Sequence, residues 1–289
     1  MASRISKIFI CALFVCAAQT FAAAGAAYAA SRIISLYPGH TDNIIALGGA
    51  AKLIGVSRND DEETLPQLPR FSGKSGAEEL LALKPDLVLT RGLAERQNPQ
   101  LRGVLERAGV KVAALEPPEW DGFGGYLREL AKLIGADPAK AEAKLNAARG
   151  AIAKNAAKYS KGKKPAVFIE ATEKELHTCS PDSWAARLIE LAGGVNAARA
   201  AKPIREGSAI APWGLERILK SAASRSIDFY IVQQGAMNGA DLKSLRARPW
   251  FSALKGVKTA ALPEGELSRP SLLGLEAGGK HLIKLFYGE

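Results

Sequence analysis

Apolar residues in the middle of the chain recur at the spacing of a helix, between Asp137 and Tyr159. The stripe consists of Leu145, Ala148, Ile152, Ala156 and Tyr159. Steps of three and four residues place these side chains on one face of a helix whose other faces are rich in Lys. Asp137 is a suitable N-cap, and Pro138 suits the first helical position because no N–H is needed there. The pattern predicts a long helix with one buried face, ending within residues 160–165.

Short apolar runs alternate with helical patterns on both sides of this helix. Near-continuous apolar runs are typical of strands buried on both faces of a parallel sheet. They lie at residues 32–36, 53–56, 87–90 and 111–115, and again at residues 166–170, 228–232 and 258–262. The alternation predicts two α/β lobes. Because ligands of such sheets bind outside the carboxyl ends of the strands, we expect a cleft between the lobes.

Two short echoes relate the halves of the chain. A helix end followed by two glycines occurs within residues 45–49 and within residues 189–194. A Glu before a helix and an Asp before the next strand occur within residues 78–89 and within residues 216–232. We therefore expect an N-terminal lobe at residues 30–136, a linker helix at 137–160 and a C-terminal lobe at 161–289.

The first 29 residues have the pattern of a secretory signal peptide. Arg4 and Lys7 form a basic start, residues 8–18 an apolar run, and residues 27–29 a small-x-small cleavage signal. The apolar run is too short to span a bilayer. We expect cleavage near Ala29 and export of the mature chain.

The cysteines bear on this processing. A lipoprotein cut before Cys16 is disfavoured because the large residues Phe14 and Val15 stand where lipoprotein sites have small ones. Removal of the signal peptide also removes Cys11 and leaves Cys179. The mature chain is therefore expected to have no internal disulfide and to depend on its apolar core.

The formal charge of +10 falls to +8 without Arg4 and Lys7. Excess Lys and Arg can indicate nucleic-acid binding, but export argues against nucleic acid as a partner. Many of the basic residues belong to the long helix and its exit, where a solvated basic face is the better interpretation. Attraction of an anionic ligand is the second one.

Most of the common catalytic motifs are absent from the sequence. It contains no G-x-S-x-G, no P-loop, no G-x-G-x-x-G after a strand and no H-E-x-x-H. We expect no catalytic residue, no enzymatic activity and no resident cofactor. His40 and His177 follow the first strand of each half, and Glu170 or Asp182 could join them, yet no close-set spacing predicts a metal site.

The segments that follow the predicted strands hold the candidate ligand contacts. They are Tyr37, His40, Arg91, His177, Trp184 and Arg269. Aromatic side chains offer large rigid surfaces to a bulky ligand, and Arg can hold a carboxylate or phosphate bidentately.

Glu78 and Glu216 are candidates of a different kind. Each opens a predicted helix, where the helix dipole alone favours a carboxylate. Their matched positions in the two halves also suggest one acidic contact per lobe, offered to a symmetric partner.

Several segments in this order resemble a known family. They are Arg-Ile-Ile-Ser-Leu at 32–36, Leu-Gly at 47–48, Ile-Gly-Val-Ser at 54–57, the run from Glu78 to Leu89, Gly-Val-Lys-Val at 109–112 and Ala-Gly-Gly-Val-Asn at 192–196. The chain is similar to the periplasmic binding proteins of ABC importers for iron–siderophore complexes, cobalamin and haem. The resemblance implies a monomer of two Rossmann-like lobes joined by one long backbone helix, the class III arrangement. It also implies that Glu78 and Glu216 dock on arginines of a transmembrane permease dimer.

The resemblance leaves the ligand open among metal chelates. Haem-binding members usually have a Tyr ahead of the first docking helix, where this chain has Phe71. Arg91 and Arg269 suit an acidic siderophore, whereas Tyr37, Phe71 and Trp184 suit a corrinoid. Two alternatives remain: a binder of bare Zn or Mn ions with a compact His/carboxylate cluster, and an exported tetrapyrrole-acting enzyme with His40 or His177 as base.

Overall fold

The computed structural model describes residues 29–61 and 65–288. Within them the chain forms two parallel sheets, each covered by helices, and the predicted α/β class is confirmed. The first sheet has five strands and the second has four, and one further antiparallel pair lies in the second half of the chain.

The first sheet and its helices occupy the chain before residue 135. The elements are β1 (Ile33–Ser35), α1 (Pro38–Ala46), β2 (Leu53–Ser57), β3 (Arg70–Phe71), α2 (Ala77–Leu81), β4 (Leu87–Thr90), α3 (Gly92–Gln97), α4 (Leu101–Arg107), β5 (Lys111–Ala114) and α5 (Phe123–Ile134). The strand order is β3-β2-β1-β4-β5, with all neighbours parallel. The order reverses at β1, so the loops after β1 and β4 lie next to each other at the carboxyl edge of the sheet.

A single long helix, α6 (Pro138–Ser160), follows this sheet. The Asp137 carboxylate caps it by accepting hydrogen bonds from the N–H groups of Ala139 and Lys140. Its buried residues are Ala141, Leu145, Ala148, Ile152 and Ala156. The predicted cap and stripe are therefore present, with Tyr159 half-buried at the end of the stripe.

The second sheet follows α6. The elements are β6 (Ala166–Glu170), β7 (Thr178–Cys179), α7 (Trp184–Leu191), β8 (Val195–Asn196), β9 (Ile210–Ala211), α8 (Leu215–Ala223), β10 (Phe229–Gln234), α9 (Leu242–Arg246), β11 (Lys258–Pro263), α10 (Glu264–Leu267) and α11 (Leu272–Tyr287). The order β11-β10-β6-β8 is parallel throughout, and β7 pairs with β9 antiparallel.

The glycine echo of the sequence corresponds to matched helix ends. Gly48 after α1 and Gly193 after α7 have positive φ angles of 82° and 85°. The next N–H groups, of Gly49 and Gly194, donate to the carbonyls of Ile44 and Ile189. Both helices thus end in the same left-handed turn, in which glycine carries no steric penalty.

The aspartate echo corresponds to matched strand pairings. The Asp86 carboxylate, before β4, accepts from the N–H of Arg32 at 3.0 Å. The Asp228 carboxylate, before β10, accepts from the N–H of Ala166 at 2.7 Å. Each aspartate therefore joins the start of its own strand to the start of the strand beside it, in β1 and β6.

Two helix boundaries differ from the sequence-based expectation. The sequence predicts an N-cap at Thr41 or Asp42, but the N-cap of α1 is Tyr37, four or five residues earlier, and Pro38 lies in the first turn. Proline is favoured there because its fixed φ suits a helix and its missing N–H is not needed. One helix is expected over residues 97–108; it is present as α4 at Leu101–Arg107, and an additional helix, α3 at Gly92–Gln97, precedes it.

A continuous apolar core joins both sheets to α6. It includes Leu130 of α5, Leu145 and Ile152 of α6, and Leu282 and Phe286 of α11. Helix α6 packs against α5 of the first half of the chain and against α7 and α11 of the second. None of the helices in residues 29–61 and 65–288 combines the length and hydropathy that a membrane span requires.

Two helical glycines give a matched test of this packing. A Cβ on Gly278 of α11 would overlap the backbone carbonyl of Glu266, whereas one on Gly150 of α6 would meet no atom within 4 Å. We expect Gly278→Ala to lower the free energy of unfolding by about 1–3 kcal/mol through overpacking. Gly150→Ala should raise it by up to about 1 kcal/mol through helix propensity. Urea unfolding of both variants measures the two effects, and equal shifts would contradict the close packing of α11.

Candidate functional site

A cavity of about 1000 Å³ lies where the carboxyl ends of the two sheets meet. Its walls include residues directly after β1, β4 and β5 on one side and after β6, β10 and β11 on the other. Parallel strands present their following loops at one edge, so both lobes contribute loops to the same space. The size lies at the upper end of the range for small-molecule sites.

Tyr37 and Arg91 form one part of the wall. Tyr37 follows β1 as the N-cap of α1, and Arg91 follows β4 as the N-cap of α3. The Arg91 guanidinium lies over the Tyr37 ring, 4.4 Å from its centroid. Burial raises the pKa of the Tyr37 hydroxyl to about 12, although Arg91 opposes this shift. The phenol is therefore neutral and offers the cavity a hydrogen-bonding group.

Trp184 forms a second part of the wall, at the start of α7. Its ring is 4.7 Å from that of Trp120 and 4.8 Å from that of Phe123, measured between centroids. Trp120 and Phe123 precede and begin α5, so this aromatic cluster joins the two halves of the chain. The residue is 5 % exposed, and its indole N–H has no hydrogen-bond partner among the described residues.

Arg269 and Asp42 form a third part, where α1 meets the segment before α11. The guanidinium lies 3.3 Å from the Asp42 carboxylate. Burial raises the pKa of Asp42, and the neighbouring Arg269 opposes this shift.

A buried asparagine next to Asp42 ties the lobes together. The Asn43 amide donates to the Pro270 carbonyl at 3.1 Å and accepts from the Leu272 N–H at 2.9 Å. These bonds link α1 to the N-terminus of α11.

His40 does not line the cavity. It is fully buried in the first turn of α1. Nε2 lies 3.1 Å from the Thr90 carbonyl, which can only accept, so Nε2 carries the proton and Nδ1 accepts from the Tyr126 hydroxyl at 2.8 Å. Burial lowers the pKa of His40 to about 4. This shift arises in the core, so it does not support a base acting on a cleft ligand.

Phe71 and His177 also lie away from the cavity wall. Phe71 is buried at the end of β3, where its ring occupies the space beside Gly55. His177 is half-buried, and its Nε2 lies 2.7 Å from the Glu175 carboxylate. Thr172 and His177 pair in an isolated antiparallel bridge, and His177 is not among the residues of the cavity wall. Of the seven predicted ligand residues, the cavity brings together Tyr37, Arg91, Trp184 and Arg269.

Sequence reasoning missed a group of wall residues in the second lobe. Met237 and Leu273 line the cavity with exposed fractions of 50 % and 36 %, which are unusual for large apolar side chains. Glu264, directly after β11, also lies on the wall. Its position after a strand is the signal that could have identified it.

The loop that carries Met237 is held by a buried charge network. The Asn238 amide donates to the backbone carbonyl of Glu170 at 3.1 Å. The Glu170 carboxylate is fully buried and forms a bidentate pair with Arg248, at 2.5 and 2.8 Å. The Tyr230 hydroxyl donates to the same carboxylate. These bonds satisfy the buried charge and hold the loop at the end of β10.

The structure offers no support for a bare metal site. The described residues contain no group of three or more His, Cys, Asp and Glu that could hold an ion. Cys179 lies on the cavity wall, but burial raises the pKa of its thiol to about 12. The thiol is therefore protonated and is a weak ligand.

Glu78 and Glu216 lie on the surface, away from the cavity. Each is exposed in the first turn of its helix, α2 or α8. Neither carboxylate has an ion-pair partner within the described part of the chain. Both are therefore free to meet a cation outside the molecule.

Comparison with known proteins identifies a family model and several similar structures. The model described as periplasmic binding protein matches residues 33–262. A vitamin B12-binding protein of Yersinia pestis (strain Pestoides F) is 28 % identical over 173 residues, which cover 59 % of this chain and 61 % of that protein. The chain thus spans about three fifths of the length of the curated relatives that it matches.

Two solved structures illustrate the shared fold. The vitamin B12-binding protein BtuF of Vibrio cholerae is 19 % identical with a TM-score of 0.62, covering 90 % of this chain and 97 % of that one. A periplasmic heme-binding protein of Pseudomonas aeruginosa is 21 % identical with a TM-score of 0.68, covering 90 % and 94 %. At these identities the likeness concerns the fold.

The core position of His40 predicts an acid-sensitive contribution to stability. The unfolded chain takes up a proton at His40 below its ordinary pKa of 6.5, but the folded protein does so only below about 4. The stability due to neutral His40 is therefore complete above pH 6.5 and is lost as the pH falls from there towards 4. Between about pH 7.5 and pH 5 this loss amounts to about 2 kcal/mol.

Urea unfolding at these two pH values tests this prediction. His40→Gln and His40→Asn both remove the titrating group, so the pH-dependent loss of unfolding free energy should be smaller in both variants by about 2 kcal/mol. A loss as large in both variants as in the unmodified protein would show that His40 does not titrate as its burial requires.

Proposed function

The chain belongs to the periplasmic binding protein family, and on this premise we propose that it is the solute-binding component of an ABC importer. It captures a metal chelate, an iron(III)–siderophore or a corrinoid, between its lobes and delivers it to the inner-membrane permease. It performs no chemistry on the ligand. The observation that carries the proposal is the cavity of about 1000 Å³ at the carboxyl ends of both sheets.

The chemistry of the wall supports a bulky chelate. Tyr37 and Trp184 provide aromatic surface, and Met237 and Leu273 provide exposed apolar surface from the second lobe. We assign ligand contacts to Tyr37, Arg91, Trp184 and Arg269. Curated relatives named as vitamin B12-binding proteins and solved structures named as heme-binding proteins support this class of ligand.

The lobes are residues 30–136 and 161–289, joined by the linker helix at 137–160. The continuous core through α6 and the hydrogen bonds of Asn43 to residues 270 and 272 oppose large relative motion. Domains move freely only where the interface between them is small and polar. We propose that ligand capture involves a small closure of the cleft.

We propose that Glu78 and Glu216 dock on arginines of a permease dimer. Their exposure, their matched places at the starts of α2 and α8, and their lack of partners among the described residues support this role. One carboxylate from each lobe suits a partner with two-fold symmetry.

We further propose that the protein is exported as a monomer to the periplasm. The predicted signal peptide, residues 1–29, lies almost entirely outside the described residues. Membership of a periplasmic family supports the same location.

Tryptophan fluorescence provides the first test of the binding function. The mature protein is titrated with cyanocobalamin, cobinamide, ferric siderophores, haem and free metal ions. We expect one chelate to quench the emission saturably below micromolar concentration, because Trp184 lies on the cavity wall and the centroid of the Trp120 ring is 4.7 Å from that of Trp184. Trp184→Phe should lose most of this quenching, whereas Trp250→Phe, in the separate core of the second lobe, should keep it.

Two results would contradict this proposal. A response to Zn(II) or Mn(II) alone would indicate a binder of bare ions. Quenching that depends on Trp250 instead of Trp184 would place the ligand outside the cleft.

The docking role predicts a loss of transport without a loss of binding. Glu78→Ala combined with Glu216→Ala should abolish uptake of the chelate by cells that carry the importer. The affinity of the purified variant should be unchanged, because both residues lie away from the cavity. The exposed pair Glu129→Ala with Glu276→Ala removes the same charge from other helices and serves as the control. A large loss of affinity in the first variant would place its residues in the binding site.

A further inference from the structure

The cavity wall is acidic, although the chain as a whole is basic. Its carboxylates belong to Asp42, Asp61, Glu119, Asp182, Glu264 and Glu266. Its guanidinium groups belong to Arg91 and Arg269, and no Lys lies on the wall within the described residues. The wall residues thus carry a formal charge of −4 in a chain whose formal charge is +10, and Asp182 and Glu266 pair with Arg187 and His281, which do not line the cavity. A cleft with low-dielectric walls concentrates such a field.

The two arginines of the wall are already engaged. The Arg91 guanidinium lies on the face of Tyr37, and Arg269 pairs with Asp42. An anionic ligand that recruits Arg269 would leave the half-buried Asp42 carboxylate without its cation. The sequence-based expectation that Arg91 and Arg269 suit an acidic chelate therefore meets an opposing cost, because a buried charge that loses its partner is strongly destabilising.

Two carboxylates of the wall can accept hydrogen bonds from a ligand. Glu119 is exposed in the segment after β5, and Glu264 is half-buried directly after β11. Neither side chain has a hydrogen-bond or ion-pair partner within the part of the chain that the structure describes. The Glu264 side chain lies so close to Gly235 that a Cβ on this glycine would overlap it. This contact restricts the position of the Glu264 carboxylate. The first lobe contributes one of these acceptors and the second lobe the other.

From this charge distribution we infer that the cleft selects a chelate without net negative charge whose periphery donates hydrogen bonds, and that Glu119 and Glu264 determine this preference. A corrinoid with side-chain carboxamides has this chemistry. The inference rests on the proposed function, since it concerns the ligand of the same cleft. It disfavours ferric catecholates and haem, whose ionised groups the wall repels.

The physical basis is the strength of hydrogen bonds to ionised acceptors. A carboxamide N–H that donates to a carboxylate forms a charge-assisted bond, about twice as strong as one between neutral groups. A carboxylate in the same place would instead face a like charge, and like-charge juxtaposition is unfavourable in a binding interface. Tyr37, Trp184, Met237 and Leu273 meanwhile suit the apolar faces of a macrocycle.

Ligands that share a metal-chelating core and differ in charge test this inference. Dicyanocobinamide carries carboxamides where dicyanocobyrinic acid carries carboxylates. We expect the mature protein to bind the former at least about 100-fold more tightly. Ferrioxamine B, a cation, and its N-succinyl derivative, an anion, give the same comparison for a siderophore. Raising the salt concentration should reduce the difference in affinity within each pair of ligands, because salt screens the electrostatic field of the cavity wall.

A variant pair shows which residues are responsible. Glu119→Gln combined with Glu264→Gln should reduce the ratio of the affinities for dicyanocobinamide and dicyanocobyrinic acid by at least about tenfold. Glu129→Gln combined with Glu276→Gln removes the same charge from exposed helix positions outside the cavity and should leave the preference unchanged. Urea unfolding of both double variants verifies that each is folded.

The outcomes separate this inference from the proposed function. Tight binding of ferric enterobactin or haem, without binding of the corrinoids and of ferrioxamine B, would overturn the inference and leave the importer function standing. Equal affinities within a matched pair, or a preference that persists in the Glu119→Gln and Glu264→Gln variant, would overturn it as well. Failure of every chelate to bind would overturn both.

Discussion

The burial of one apolar stripe of α6 against both halves of the chain is the contact on which the remaining structure depends. Leu145, Ala148 and Ile152 belong to the same continuous core as the helices that flank each sheet. Close approach is possible because α11 presents Gly279 to Ile152, where any Cβ would overlap the isoleucine side chain. A core without a break at the linker favours two lobes with a nearly constant separation, in contrast to domains that hinge across a small polar interface.

This arrangement places the carboxyl edges of both sheets at one cavity. The two halves repeat the same local devices: a helix that ends in a left-handed glycine, and an aspartate that ties the start of one strand to the next. Segments after equivalent strands therefore face each other across the cleft. The ligand contacts assigned above come from these segments, and their chemical variety reflects loops held by a rigid framework.

The site was only partly predictable, and the reason is clearest at His40. The place of His40 after a strand predicts that its side chain lies in the cleft, together with that of Tyr37. Because Pro38 starts α1, His40 occupies the first turn of a helix and its ring turns into the core, where Thr90 and Tyr126 satisfy both nitrogens. Tyr37, one residue before the helix, remains on the wall. A shift of four or five residues in a helix start thus moves a side chain from cavity to core, and helix boundaries are the least reliable part of a sequence-based prediction.

The sequence by itself determined the α/β class, the long central helix with its Asp137 cap, the pairing of the two halves and the resemblance to periplasmic binding proteins. These properties follow from periodicity, capping and short motifs, which depend on residues near one another in the chain. Only the tertiary structure decided which side chains share the cavity, that Asp42 forms an ion pair with Arg269, and that the wall is acidic in a basic protein. Each of these features depends on residues of both lobes that are distant in sequence. Burial and long-range pairing determine them, and neither is a local property of the chain.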